Sequence, residues 1–150
     1  MTTTQQPQSA AERRIAEAQL GALIARFAPA HTRLISDLRR ALRKRLPGAH
    51  EVVYAYSDFL VVSFSPDGRG YEGVFGIRAS ASEVKLYFNR GKELPDPAKR
   101  LRGSGKQTRW IAIESASTLV IPEVADLIEA AIARSVVPFA AAGRGPVVIR

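Results

Sequence analysis

The chain contains no cysteine, only two histidines and one tryptophan among its 150 residues, and no long uninterrupted apolar run. The lack of cysteine excludes disulfide bonds, thiolate zinc sites, cysteine-ligated iron–sulfur clusters and cysteine nucleophiles. A membrane-spanning helix needs about 20 apolar residues in succession, and the polar N-terminus has no apolar core typical of a signal peptide. We therefore expect a cytoplasmic protein with no membrane association and no cofactor.

The charge of the chain is positive and unevenly placed. The net charge is +8, and residues 31–50 (six cations, one acid) and 83–110 (eight cations, three acids) contribute +5 each. Such clusters favour polyanions such as nucleic acid as partners, although a soluble arginine-rich surface is the alternative. If the two segments converge they form one patch, whereas on opposite faces each is simply surface.

The first half of the chain has helical periodicity. Residues 1–8 are polar and predict a disordered tail, and Ser9 with Glu12 forms a capping box that opens an extra helix within residues 9–28. Its apolar residues fall near one face: Ile15, Leu20, Leu23, Ile24 and Phe27. Pro29 opens a second helix, which ends near Pro47. Opposite its apolar stripe lies a face that we interpret as solvated, with a nucleic-acid surface as the alternative: Arg33, Arg39, Arg40, Arg43 and Lys44.

From residue 51 the pattern is that of strands. Residues 51–56 pair with 59–64, residues 73–79 pair with 83–88, and a fifth strand covers 109–113. A helix follows from Pro122, and residues 136–150 are expected to form a loose C-terminal tail. The order predicts an α+β domain with an antiparallel sheet of about five strands and with N-terminal helices and a C-terminal helix packed on one face.

The candidate binding segment is the basic loop at residues 89–109, which is rich in glycine, proline and cations. We expect Arg90, Lys106 and Arg109 to donate charge to an anion, and Gly103 and Gly105 to shape the backbone around it. The run from Gly103 to Lys106 is only a fragment of a phosphate loop, because the full spacing and the metal-binding hydroxyl are absent.

Aromatic residues bracket this loop. Trp110 and Tyr87, with Phe88, could stack bases beside the cations, but strand aromatics are more often core residues. Alternation alone does not decide whether Tyr87 or Phe88 faces outward. Glu93 and Asp96 could hold a hard cation, although the surrounding cations oppose it, and Asp96 is expected to accept backbone amides instead.

The segment 86–109 carries a motif, L-x-F-x-R-G-x-x-L-P-D-P-x-x-x-L-x-G-x-G-K-x-x-R, that resembles the signature of the YdhG-like bacterial family of unknown function. The matching positions are Leu86, Phe88, Arg90, Gly91, Leu94, Pro95, Asp96, Pro97, Leu101, Gly103, Gly105, Lys106 and Arg109. The resemblance implies a compact α+β domain over about residues 29–135 and transfers no catalytic residue. The chain departs from the family pattern after Pro47-Gly48.

Three hypotheses follow for the function. The leading one is a non-enzymatic domain that binds an anionic ligand or partner through the 89–109 loop. One alternative is iron delivery, which is implied by relatives that have been likened to frataxin-type iron chaperones. No dedicated metal residues are identified for it. The other is a purely structural loop, anchored by Leu94 and Leu101, in a domain that contacts a protein partner.

Overall fold

The computed structural model describes residues 8–150 and confirms the predicted α+β fold. The helices are α1 (Ala10–Ile24), α2 (Pro29–Arg45) and α3 (Pro122–Ala133). The strands are β1 (His50–Ala55), β2 (Phe59–Ser65), β3 (Phe75–Ser80), β4 (Val84–Phe88), β5 (Arg109–Ala112) and β6 (Val147–Ile149). They form one sheet in the order β5-β4-β3-β2-β1-β6, antiparallel except for the parallel pair β1–β6. Within residues 8–150, no helix has the length and apolar character that crossing a bilayer requires.

Helix α1 begins with the predicted capping box. The Glu12 amide donates to the Ser9 hydroxyl at 3.0 Å, and the Ser9 amide donates to the Glu12 carboxylate at 3.1 Å. The assignment of Ile15 to the apolar face is wrong, because its side chain is 61% exposed. The assignment of Leu20 and Ile24 is confirmed, and Ala16 is buried with them, since the helix turns its i, i+4, i+8 positions toward the core.

The sequence predicted a loose C-terminal tail over residues 136–150, but part of this segment forms a strand. Strand β6 lies parallel to β1, with Glu51 opposite Val147. Gln8 secures this strand, because its side chain donates to the Val147 carbonyl at 2.8 Å and accepts from the Val147 amide at 3.0 Å. The rest of the predicted N-terminal tail lies outside the described residues. A parallel partner 96 residues away, from Glu51 to Val147, leaves no local sequence signal, which explains why this strand was not predicted.

The two faces of the sheet differ sharply. On the covered face, Phe64, Phe75 and Phe88 are fully buried and join the apolar residues of all three helices in one core. On the opposite face, the 66–74 segment lies over the β1–β2 side, where Ser63 is only 4% exposed. The β3–β4–β5 side of that opposite face carries exposed or half-buried residues, so one part of the sheet remains open.

Candidate functional site

The open side of the sheet carries two neighbouring rows of side chains. In the first row, Gly76 lies opposite Tyr87, Tyr87 opposite Trp110, and Trp110 opposite Arg102. In the second row, Arg78 on β3 lies opposite Lys85 on β4. Directly opposed residues of antiparallel strands point to the same face of a sheet. We call this surface the open face and define it by Arg78, Lys85, Tyr87, Arg102 and Trp110.

Arg102 joins this surface because the basic loop returns to the sheet edge. The Arg102 amide donates to the Trp110 carbonyl at 2.8 Å, and the Trp110 amide donates to the Arg102 carbonyl at 2.9 Å. This exchange is the hydrogen-bonded pairing of an antiparallel ladder, continued for one residue beyond β5. The exposed Arg102 side chain is thereby held beside the half-buried indole of Trp110.

Tyr87 lies across the middle of the sheet. A Cβ atom added to Gly76 would come within 2.5 Å of the Tyr87 hydroxyl and 2.7 Å of the ring carbon that carries it. The ring therefore occupies the space above Gly76, which only a residue without a side chain leaves empty. Burial raises the pKa of Tyr87 to about 12, so the phenol is uncharged near neutral pH.

The cations of the open face are only partly neutralised. The Lys85 ammonium lies 4.0 Å from the centre of the Trp110 ring and 2.8 Å from the Glu83 carboxylate. The exposed Arg78 guanidinium lies 4.1 Å from the centre of the Phe59 ring. Arg78 and Lys85 occupy directly opposed positions with like charges, an arrangement that is unfavourable in a sheet. An anion placed between them would relieve that repulsion.

A groove of about 290 Å³ runs over this surface. Its lining comprises Val61, Arg78, Lys85, Tyr87, Asn89, Thr108 and Trp110. Among the residues described, this lining includes two cations and no carboxylate. An adjoining depression at the hairpin end of the face shares Arg78 and Lys85 with the groove and is also bordered by the carboxylates of Asp58 and Glu83. The groove itself therefore keeps a positive lining, with the two carboxylates at one end of it.

Three of the predicted site residues, Arg90, Gly105 and Arg109, make contacts within the 89–109 loop. Arg90 pairs with Glu93 at 2.5 Å, and Arg109 donates to the carbonyls of Gly105 at 2.7 Å and Thr108 at 2.8 Å. These contacts hold the loop in its fold and engage part of each guanidinium group. Gly105 supplies a carbonyl to Arg109.

The other two predicted site residues, Gly103 and Lys106, lie in different environments. Gly103 has a φ of +118°, which disfavours any side chain, and it lies against the Trp110 indole nitrogen. It lets the chain turn away immediately after Arg102. Lys106 is exposed at the tip of the loop, and no ion pair involves it among residues 8–150. The structure therefore brings Gly103 to the open face and leaves Lys106 beyond its rim.

The family-like motif is largely structural in its contacts. Leu86 and Phe88 are fully buried, Leu94 is 8% exposed, Leu101 packs against the core, and Gly91 is buried beside Arg109. Asp96, between Pro95 and Pro97, accepts the amides of Arg100 at 2.9 Å and Leu101 at 2.8 Å. The expectation that Asp96 caps backbone amides is thus confirmed.

The sequence predicted a solvated basic face on α2, but part of this face is buried. Arg39 and Arg43 turn inward to Glu51, whose side chain is 1% exposed, at 2.5 Å and 2.7 Å. Glu17 of α1 binds the same two arginines at 2.7 Å and 3.1 Å. Glu51 lies opposite Phe64 and therefore on the covered face. Arg39 and Arg43 therefore belong to a buried ion network and not to a surface shared with the basic loop.

Another cavity borders the end of α3. It has a volume of about 400 Å³ and lies between the 70–74 segment, the start of the basic loop and the end of α3. Phe88 and Leu94 contribute apolar surface, while its charged groups are two carboxylates and two guanidinium groups: Glu72, Glu93, Arg90 and Arg134. This balanced charge gives the cavity no preference for an anion.

The iron-delivery alternative gains no geometric support. In the part of the chain that the structure describes, residues 8–150, no three histidine, aspartate or glutamate side chains come together as metal ligands. The two carboxylates considered for a cation are engaged: Glu93 pairs with Arg90, and Asp96 accepts backbone amides. A cation would have to displace both sets of partners.

Comparison with known proteins adds no assignment, because no family model, no curated protein and no solved structure matches the chain. The fold and the open face therefore define the class of protein: an α+β domain whose sheet is covered by helices on one face and partly bare on the other. The likeness to the YdhG-like family rests on the motif residues alone.

Arg78 and Lys85 were missed as candidates, although the sequence carried a signal for them. Phe75, Ile77 and Ala79 alternate with Gly76 and Arg78, so the apolar set assigns Arg78 to the outer face. The same alternation in β4 puts Lys85 and Tyr87 opposite to Phe88. What the sequence lacked was the strand order that sets Arg78 beside Lys85.

Proposed function

We propose that this protein is a non-enzymatic domain that binds an anionic ligand across the open face of its sheet, at the border of the 89–109 loop. The observation that carries the proposal is the directly opposed pair Arg78–Lys85 in a groove whose described lining includes no carboxylate. Such a pair costs stability in the free protein and becomes favourable when an anion lies between the two cations.

Arg102 and Lys106 extend the same field along the sheet edge. Arg102 is exposed beside Trp110, and Lys106 is exposed four residues further along the loop. A ligand with several negative charges would therefore contact cations from the middle of the sheet to the loop. This geometry favours a polyanion over a single small ion. Each further phosphate that a cation neutralises releases more counterions, so the favourable free energy of binding grows with the number of charges.

The experiment is a calorimetric titration with short-chain inorganic polyphosphate at low and high salt, using a charge reversal in the groove. Arg78→Glu should abolish binding while keeping the melting temperature close to that of the parent protein. The new glutamate lies opposite Lys85 and gains an attractive cross-strand pair, which offsets the lost contact with Phe59.

Arg33→Glu is the matched control. It makes the same change in net charge at an exposed position of α2, on the helix-covered side of the sheet. Polyphosphate affinity should stay within about twofold of the parent protein, as expected for a charge outside the contact region. Equal loss of affinity in both variants would assign binding to the overall charge and remove the open face as a site.

A further inference from the structure

We propose that the ligand of the open face is single-stranded nucleic acid, with a base stacked on the ring of Tyr87 and phosphates held by Arg78, Lys85 and Arg102. This inference rests on the proposed anion binding and names its ligand class. Its starting point is the pairing of Tyr87 with Gly76, which gives the groove an aromatic floor in addition to its cations.

The Tyr87 ring is shaped as a platform. Because its hydroxyl group lies within 2.5 Å of where a Gly76 Cβ would stand, one side of the ring lies over the β3 backbone. The ring remains half-buried, and it lines the groove between Arg78 and Trp110. A glycine in the interior of a strand normally weakens it, but here it leaves room for the Tyr87 ring over the strand.

Trp110 has a different part in this arrangement. The Lys85 ammonium already lies 4.0 Å from the centre of the indole ring, so one face of the indole is taken. The indole and the Glu83 carboxylate thereby hold the Lys85 ammonium on the open face, where a phosphate can reach it. Tyr87 is the ring that we assign to a base, and its phenol stays uncharged because burial raises its pKa to about 12.

The arrangement favours single strands over a duplex. Bases in a duplex have both faces covered by their neighbours, so an aromatic platform can be used only by a base that has left the stack. The groove also lies between the 66–74 segment and the basic loop, which approach the sheet from its two sides. A flexible strand can follow this path, and a rigid duplex would contact only the rims.

The test compares ligands that differ only in their bases. Fluorescein-labelled ten-residue oligothymidylate and oligouridylate are titrated against an abasic oligonucleotide of equal charge, with fluorescence anisotropy as the readout. We expect base-bearing strands to bind about 5- to 150-fold more tightly, the equivalent of about 1–3 kcal/mol for one stacked base. Tyr87→Leu should remove this difference, whereas Tyr87→Phe should retain it.

Tyr71→Leu is the matched control, since Tyr71 is 75% exposed and does not line the groove. It should leave both affinities unchanged. Equal binding of the abasic strand and of the base-bearing strands would overturn the inference while leaving anion binding in place. Tighter binding of a duplex of the same length would overturn it as well. Absence of binding to every oligonucleotide and to polyphosphate at low salt would overturn the proposed function itself.

Discussion

Replacing Glu51 by glutamine tests whether Arg39 and Arg43 of α2 stabilise the fold through buried ion pairs or are only surface charges. The Glu51 side chain is 1% exposed and accepts from Arg39 at 2.5 Å and 3.2 Å and from Arg43 at 2.7 Å. The amide would remove the negative charge and direct an N–H group toward one of the guanidinium groups. Glu17 would then be the carboxylate that remains to both arginines.

The expected loss is about 3 kcal/mol in the free energy of unfolding, at the lower end of what breaking a buried ion pair costs, because Glu17 still pairs both arginines. At a slope of about 2 kcal/mol per molar urea, the unfolding midpoint should fall by about 1.5 M. Polyphosphate affinity should not change, because Glu51 lies on the covered face and Arg78 on the open one.

Asp37→Asn is the matched control for this measurement. Asp37 pairs with Arg40 at 3.3 Å on the same helix, but both side chains are exposed, at 42% and 78%. Such a pair contributes about 0.5 kcal/mol or less. Urea denaturation curves that move equally little for both variants would refute the conclusion that the α1–α2–β1 ion network stabilises the fold.

Four further predictions concern the loop and the titrating groups. Leu94→Ala should lower the free energy of unfolding by about 2–5 kcal/mol, because Leu94 is 8% exposed, whereas Lys106→Glu should leave stability unchanged and weaken polyphosphate binding. Hydrogen bonds from Arg39 lower the pKa of Glu17 below 4.5, so its stabilisation is present above that pH and is lost as the pH falls through the folded pKa. Glu17→Gln should flatten acid denaturation in this range. The pKa of Tyr87 is raised from 10.0 to about 12, so stability should fall as the pH rises between these values, and Tyr87→Phe should remove the highest step of the tyrosinate absorbance titration.

The elements of this domain were predictable because their signals are local. The capping box of Ser9 and Glu12, Pro29 and Pro122 at helix starts, and the alternation in the two hairpins all act within a few residues. The backbone turn at Asp96 was predictable for the same reason, since an aspartate beside a proline is typical of a turn in which the carboxylate accepts backbone amides that follow it.

The assignment of charges was less predictable, because a charge pattern does not say where a helix face points. Arg39 and Arg43 have the same helical spacing as exposed cations, yet Glu17 and Glu51 draw them inward. Burial of these arginines requires partners from α1 and β1, which the chain supplies 22 residues before Arg39 and 12 after it. Only the packed structure brings both carboxylates to one point.

The sequence by itself determined the α+β class, the bounds of most elements and the turn chemistry of the basic loop. Tertiary structure decided that β6 pairs with β1, that Arg90 and Arg109 hold the loop, and that Arg78, Lys85 and Tyr87 share a bare surface. The physical reason is that helix and strand periods come from neighbouring residues. Strand order, register and the choice of covered face come from pairings between distant segments, which must all form together.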